Sequence, residues 1–191
     1  MRLLVLKLHE ALPWSDLPMN AGPHGAIEAA RRYRAVALTT LRQMKGLERT
    51  RIRIMVEPDD GADAVRFWLL PRLADGWRTE DTVFRTEGWE IEFGMNGGEF
   101  LIEARAEVLC PFLGARWVHT AMLGLEHGRH SVHASADDGS AIFHAAAAGS
   151  HIPVDTRELP PLPVIRNDAQ WTAAIDGPLG PALKRAWEEE A

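Results

Sequence analysis

Two hydrophobic periods along the chain predict where its strands and helices lie. The apolar run "RLLVLKL" (2–8) is typical of a buried strand, and "RIRIMVE" (51–57) alternates as a second strand does. Between them, "AIEAARRYRAVALTTLRQMKG" (26–46) repeats apolar residues every three or four positions, which predicts a helix that ends at Gly46. Three prolines and two glycines within 9–25 predict a loop before this helix.

The same criteria assign the remainder of the chain. Asp59 or Asp60 is expected to cap a short helix that closes near Pro71. The later patterns predict a strand in 89–95, a segment in 97–109 that is helical at its start, a helix in 115–128, a strand–turn–strand unit in 130–147, and two short helices after a proline-rich linker at 159–164.

The alternation of strands and helices predicts an α/β protein. We expect residues 1–191 to form a single domain, a three-layer α/β/α sandwich with a mostly parallel sheet. In such sheets a ligand binds at the carboxyl ends of the strands. The loops after the first strand, after Glu57 and after Phe93 are therefore the first places to look for a site.

Composition and charge limit the cellular compartments and the binding partners that we expect for the protein. The 191 residues carry a formal net charge of -6, which gives no general attraction to nucleic acid or to an anionic membrane. Cys110 is the single cysteine, so no internal disulfide forms and a reducing cytoplasm fits. The N-terminal apolar run is too short for a membrane span and is broken by Lys7 and His9. We expect a soluble cytoplasmic protein.

Two glycine-containing segments carry candidate chemistry. "GMNGGE" (94–99) follows a predicted strand, and glycine-rich backbone in that place either cradles a phosphate or forms a tight turn in which Asn96 caps the following helix. "ADDGS" (136–140) is either part of a metal site or a hairpin turn, since Asp-Gly is a strong hairpin signal. Adjacent aspartates on a regular strand point to opposite faces, so Asp137 and Asp138 cannot both bind one metal there.

The histidines and the single cysteine raise a further class of function, in which a bound metal or a thiol is the reactive group. His127, His130 and His133 recur at intervals of three, as in a zinc-dependent hydrolase, but Gly128 interrupts the element and surface histidines near a helix end explain the pattern better. Cys110 lies among Val108, Leu109 and Phe112, which predicts a buried, inert thiol.

Several stretches line up, in order, with one family. Lys7 ends the first strand, and "GPHGAIEAARRYRAVALTTLRQM" (22–44), "RIRIMVEPDD" (51–60), "GMNGGEFL" (94–101), "SADDGSAIF" (135–143) and "VIRNDAQWTAAI" (164–175) follow. In this order they resemble the bacterial nucleotide-diphospho-sugar transferase-like proteins, an A-type glycosyltransferase fold whose function is largely uncharacterised.

The resemblance implies a sugar-nucleotide site. It implies glycosyl transfer from a sugar nucleotide, assisted by Mg²⁺ or Mn²⁺ held by Asp138 and Asp168, with Asp59 or Asp60 as a further candidate. Asp138 would also be the catalytic residue. The nucleotide would lie near four residues of the glycine-rich segment, which are Gly94, Asn96, Gly98 and Glu99.

The chain departs from the family at charged positions. "SDL" (15–17) stands where the family has a basic loop, and no aspartate stands just before Pro111, where the family has its likely metal carboxylate. The segment between Glu99 and Cys110 is shorter than the family's, which predicts that a helix is shortened or lost. These departures predict a degraded donor site.

Apart from the zinc-dependent hydrolase, the sequence is compatible with two functions. The chain is either a divergent glycosyltransferase-like enzyme or a non-catalytic relative that acts as a binding or protein-interaction subunit. A homo-oligomer is compatible with either, and the seven tryptophans would supply contact area.

Overall fold

A computed structural model describes residues 1–73, 83–86, 89–94, 99–127, 131–147 and 156–190. These residues form eight strands, Arg2–His9 (β1), Thr50–Glu57 (β2), Val83–Thr86 (β3), Trp89–Phe93 (β4), Ile102–Ala106 (β5), Ser131–Ala136 (β6), Ala141–Ala147 (β7) and Thr156–Leu162 (β8). The five α-helices within the same ranges are Gly25–Gln43 (α1), Ala62–Leu73 (α2), Ala115–Glu126 (α3), Asp168–Ile175 (α4) and Gly180–Glu188 (α5).

The strands form one sheet in the order β3-β4-β2-β1-β5-β7-β6-β8. Strands β4, β2, β1 and β5 are parallel, whereas β3 and β7 run against their neighbours. Strand β8 pairs in parallel with β6. The predicted α/β class with a mostly parallel sheet is confirmed.

One face of this sheet supplies the hydrophobic core. Leu4, Leu6 and Leu8 of β1 are fully buried, and register places Ile52 of β2 and Ala104 of β5 beside Leu4. The core is one cluster to which every α-helix described above contributes side chains, including Val36, Leu69, Val118, Trp171 and Leu183. The helices therefore form one layer on this face, and a second helical layer is not among the described residues.

The opposite face is lined by paired charges. Strict alternation puts Arg51 and Arg53 of β2 on it, next to Glu90 and Glu92 of β4. Glu92 is fully buried and accepts hydrogen bonds from Arg51 Nη1 at 3.0 Å and from Arg53 Nε at 2.6 Å. The ring of Phe100 packs against both arginines, with guanidinium-to-centroid distances of 6.0 and 5.5 Å.

The segment 97–109, predicted to be helical at its start, shows no helix from residue 99 onward and contains strand β5. Ile102 and Ala104 are buried, while Glu103 and Arg105 point away from the core, so the segment has the period of two that a strand requires. Pairing with β1 at the centre of the sheet stabilises the strand conformation of this segment.

The proline-rich stretch assigned to a linker is also a strand over most of its length. Residues 159–162 belong to β8, whose described partner is β6 alone. Proline has no N–H to donate to a neighbour and is tolerated at a sheet edge, which explains Pro160 and Pro161 here. Pro71, which was expected to close its helix, lies inside α2.

We predict that the buried carboxylate of the charged face is required for stability. Glu92→Gln should lower the free energy of unfolding by about 2–4 kcal/mol, because it removes the charge that two partly buried guanidinium groups share. Glu103→Gln is the matched control on the same face. Glu103 is 44% exposed and lies 3.4 Å from an exposed arginine, so its loss should cost less than about 1 kcal/mol. Urea unfolding measures both values, and equal effects would contradict the prediction.

Candidate functional site

The carboxyl ends of β1, β2 and β5 lie at the same edge of the sheet, and polar side chains collect there. His9 ends β1, Glu57 ends β2 and Glu107 directly follows β5. The backbone N–H of His9 donates to the buried hydroxyl of Tyr33 on α1 at 2.8 Å, which ties the end of β1 to the helix layer. Burial lowers the pKa of His9, which favours the neutral ring.

A pocket of about 410 Å³ opens between the loop after β1 and the start of α1. Ser15, Asp16 and Asn20 supply its polar lining, and Gly22 and Gly25 form its floor. Both glycines have positive φ angles, +56° and +81°, a conformation that side chains disfavour. The pocket therefore depends on glycine at the entry to α1.

Hydrogen bonds within the loop shape this pocket. Ser15 Oγ donates to Glu10 Oε1 at 2.7 Å and accepts from the Leu12 N–H at 3.2 Å. Asn20 Oδ1 accepts from the Gly22 N–H at 2.7 Å. The segment "SDL", predicted to replace a basic loop, thus lies in the wall of the pocket and brings Asp16 there instead of a cation.

Asp138 lies in the turn between β6 and β7. The Gly139 N–H donates to the Ala136 carbonyl at 3.0 Å, which confirms that "ADDGS" forms a hairpin turn. Asp138 Oδ1 accepts from the Ser140 N–H at 2.9 Å and from Ser140 Oγ at 2.6 Å. Asp138 can therefore form this hairpin turn while its carboxylate stays ionised and exposed.

Arg166 joins Asp138 to Glu107, and we call Glu107, Asp138, Ser140 and Arg166 the Arg166 cluster. Arg166 Nη1 lies 3.1 Å from Asp138 Oδ2 and 2.9 Å from Ser140 Oγ, while Nη2 lies 3.3 Å from Glu107 Oε2. Glu107 Oε1 accepts from the Leu109 N–H at 3.0 Å. The hydrogen bonds from Ser140 and the charge of Arg166 lower the pKa of Asp138.

Backbone contacts hold Arg166 in place. Its N–H donates to Gln170 Oε1 at 2.8 Å, and its carbonyl accepts from the Asn20 N–H at 2.7 Å. Asn167 caps α4 by accepting from the Gln170 N–H at 3.0 Å. Through Asn20, the Arg166 cluster is connected directly to the pocket wall.

Asp168 belongs to a different network. Its Oδ1 accepts from Arg32 Nη1 at 2.6 Å, and His24 Nε2 lies 3.7 Å away. Arg32 Nε also donates to Glu28 at 2.8 Å, and Glu28 accepts from the indole N–H of Trp187 at 3.0 Å. The hydrogen bond and charge of Arg32 lower the pKa of Asp168.

The two carboxylates expected to share a cation are therefore held apart in separate networks, each with its own arginine. Across the described ranges, no three His, Cys, Asp or Glu side chains converge as a metal site requires. In this arrangement Asp138 and Asp168 do not fit a shared divalent cation.

The other predicted site residues are only partly described. Gly94 follows β4 with a φ of +76°, and its N–H donates to the Ile54 carbonyl at 3.0 Å. Glu99 is exposed, while Asn96 and Gly98 lie outside the described residues. Asp59 and Asp60 form a 3₁₀ turn before α2. A role for these residues in nucleotide binding stays a prediction.

Two of the three histidines, His127 and His133, are among the described residues, and they lie at different elements. His127 follows α3 and its Nδ1 lies 2.8 Å from the Leu123 carbonyl, whereas His133 lies on β6 opposite His144. His130 is outside the described ranges. Cys110 is fully buried, which confirms the predicted burial of the thiol, and burial raises its pKa to about 12.

Positive charge at this edge of the sheet is already paired. Lys7 forms an ion pair with Glu57, Arg32 is shared by Asp168 and Glu28, and Arg166 is shared by two carboxylates. An anionic ligand would have to compete with these carboxylates or use N–H groups that they leave free.

Sequence reasoning missed Glu107 and Arg166. Glu107 continues the alternation of "IEARAE" past the end of β5, and that continuation was the available signal for a polar residue at the carboxyl edge. Arg166 precedes the helix start "NDAQ" without any motif of its own. Only the long-range contacts of these residues mark them as members of a site.

Comparison with known proteins gives a likeness of fold. No family model matches the chain, and no curated protein matches its sequence. Among solved structures, it is similar to a candidate nucleotide-diphospho-sugar transferase from Desulfovibrio desulfuricans G20, with a TM-score of 0.66 and 13% identity over 99% of this chain and 96% of that one.

Two further solved structures are more distant. 4-Diphosphocytidyl-2C-methyl-D-erythritol synthase from Anaerococcus prevotii gives a TM-score of 0.49 at 10% identity, over 88% of this chain and 94% of that one. Rv0371c from Mycobacterium tuberculosis H37Rv gives 0.47 at 8% identity, over 92% and 98%. The likeness to the first structure confirms the predicted transferase-like fold. In the described parts of the chain, no helix is long and apolar enough to cross a membrane.

We predict that Asp138 stabilises the fold at neutral pH and not in acid. Its pKa is lowered from 3.8 in the folded protein, so its stabilisation is present above pH 4 and is lost as the pH falls through the lowered value. Asp138→Asn should therefore be less stable than the wild type at pH 7, and the difference should shrink below pH 4. Urea unfolding from pH 7 to pH 2.5 tests this, with Asp137→Asn as the neighbouring control. A difference that persists unchanged at pH 2.5 would contradict it.

Proposed function

We propose that this chain binds a sugar nucleotide as a divergent member of the transferase-like fold. The observation that carries the proposal is the full-length likeness to the Desulfovibrio structure, together with a pocket at the carboxyl end of β1. Ligands of open α/β sheets bind at this edge. The pocket, the Arg166 cluster and the connection through Asn20 supply the polar groups that such a ligand needs.

The geometry also suggests how the ligand would lie. The glycine-lined entry to α1 lets a phosphate approach the backbone closely. Trp14, on the loop that forms the pocket wall, is 78% exposed and can stack against a base. The base and ribose would contact the loop, and the diphosphate would extend toward Arg166.

A thermal-shift experiment tests binding. UDP-glucose, GDP-mannose and CDP are tested in turn, and the nucleotide of the right class should raise the melting temperature. A ligand at 100 times its Kd adds about 2.7 kcal/mol to the free energy of unfolding. Ala26 lines the pocket and is exposed, so the indole ring of Ala26→Trp should occupy the pocket and abolish the shift. Ala173→Trp, at an exposed site on α4, is the matched control and should retain it. No shift with any nucleotide would refute the proposal.

The second candidate is a non-catalytic relative. The ion pairing of Lys7, Arg32 and Arg166 favours it, because the cations that would stabilise a leaving diphosphate are shared with carboxylates. Exposed Trp14 and Ile27 beside the pocket would give such a protein an apolar contact for a partner.

Turnover distinguishes the two candidates. A non-catalytic relative should bind a sugar nucleotide and release no nucleoside diphosphate above the rate of a blank, measured by chromatography over hours. Sugar transfer or hydrolysis that disappears in Asp138→Asn would establish the enzyme. The same loss in Asp137→Asn would assign the effect to the turn and not to Asp138.

A further inference from the structure

The Arg166 cluster contains Asp138, one of the two carboxylates to which the resemblance assigns a metal. We propose that the guanidinium of Arg166, and not a divalent cation, is the positive centre between Glu107 and Asp138, so that this site takes up its ligand without a metal. The ligand half of this inference rests on the proposed function. The exclusion of a metal rests on the contacts of the cluster alone.

Every oxygen of the two carboxylates has a donor. Asp138 Oδ2 and Glu107 Oε2 face Arg166, at 3.1 and 3.3 Å. Asp138 Oδ1 is held by Ser140, and Glu107 Oε1 by the Leu109 N–H. A divalent cation needs such oxygens at about 2.0–2.6 Å, directed at itself. The guanidinium already fills the space between Asp138 Oδ2 and Glu107 Oε2, the two oxygens that could face a cation.

Arg166 cannot leave without breaking other contacts. Its backbone is fixed on one side by Gln170 and on the other by Asn20, and its side chain is only 26% exposed. A dication entering between the carboxylates would lie beside a guanidinium, and repulsion between like charges would oppose it. Metal binding at this position therefore requires that Arg166 be removed.

The guanidinium retains capacity for a ligand. Arginine has five N–H donors, and three of them are used by Asp138, Ser140 and Glu107. The Nε–H and one Nη2–H have no partner among the described contacts. Guanidinium N–H donors of this kind bind phosphate oxygens.

The charge of the cluster limits the strength of this attraction. One guanidinium and two carboxylates give a formal charge of -1, whereas a divalent cation would bring the same carboxylates to zero. Arg166 therefore contributes direction more than net attraction. Binding of a diphosphate should be weaker here than at a metal-loaded site, but independent of metal.

Manganese alone tests the exclusion of a metal. Electron paramagnetic resonance of Mn²⁺ should show no saturable binding to the wild type and one bound ion in Arg166→Ala, because the substitution frees both carboxylates. The double variant Arg166→Ala/Asp138→Asn should lose that ion again. Arg105→Ala removes an exposed arginine from the sheet and should behave as the wild type does.

Two outcomes of this experiment would overturn the inference. One is saturable Mn²⁺ binding by the wild type that Asp138→Asn abolishes. The other is a failure of Arg166→Ala to gain an ion although it remains folded by circular dichroism. Arg166→Gln replaces the alanine variant if the latter unfolds.

Calorimetry with UDP, GDP and CDP tests the role of Arg166 in binding. The Kd of the nucleotide that binds should be the same in EDTA and in MnCl₂, and Arg166→Ala should weaken it about tenfold, equivalent to about 1.4 kcal/mol. Binding that requires Mn²⁺ would overturn the inference and leave the proposed function standing. Binding in neither condition would refute the proposed function, while the manganese experiment would still decide whether Arg166 excludes a metal.

Discussion

The burial of one face of β1 holds the rest of the structure in place. Leu4, Leu6 and Leu8 are removed from water because β1 lies between its parallel neighbours β2 and β5 and the helices pack on this face of the sheet. Full burial of each leucine is worth about 1.5–3 kcal/mol. Because the three central strands share a direction, His9, Glu57 and Glu107 emerge at one edge. The location of the candidate site is thus a consequence of how the core is built.

Charge pairing is the second constraint, and it acts on both sides of the molecule. On the face away from the helices, two arginines of β2 surround the buried Glu92. At the carboxyl edge, Arg166 and Arg32 each draw carboxylates to themselves. A parallel sheet is usually covered by helices on both faces. Here salt bridges and Phe100 cover part of the face on which the described residues form no helix, so polar side chains replace apolar packing there.

The sequence was most informative where periodicity was strong and local. The long helix α1, the alternating β2 and the hairpin around Gly139 were all predicted from short windows, because burial and turn chemistry act there within a few residues. Strand β5 was missed because its few residues follow a glycine-rich segment, and its conformation is imposed by β1. The site was predicted in part. Asp138 was predicted as a catalytic residue and metal ligand, and these roles stay predictions. The structure places it in a polar cluster whose arginine lies 28 positions away, and no local pattern links the two residues.

The prolines of β8 have a consequence for assembly. Pro160 and Pro161 sit on the outermost strand beside β6, and neither can offer a backbone N–H to another chain. A neighbouring copy could not extend the sheet through this stretch by continuous backbone pairing, which is the usual route from an open edge to fibrils. Contacts between copies of this protein at the β8 edge would therefore have to be made through side chains in this stretch.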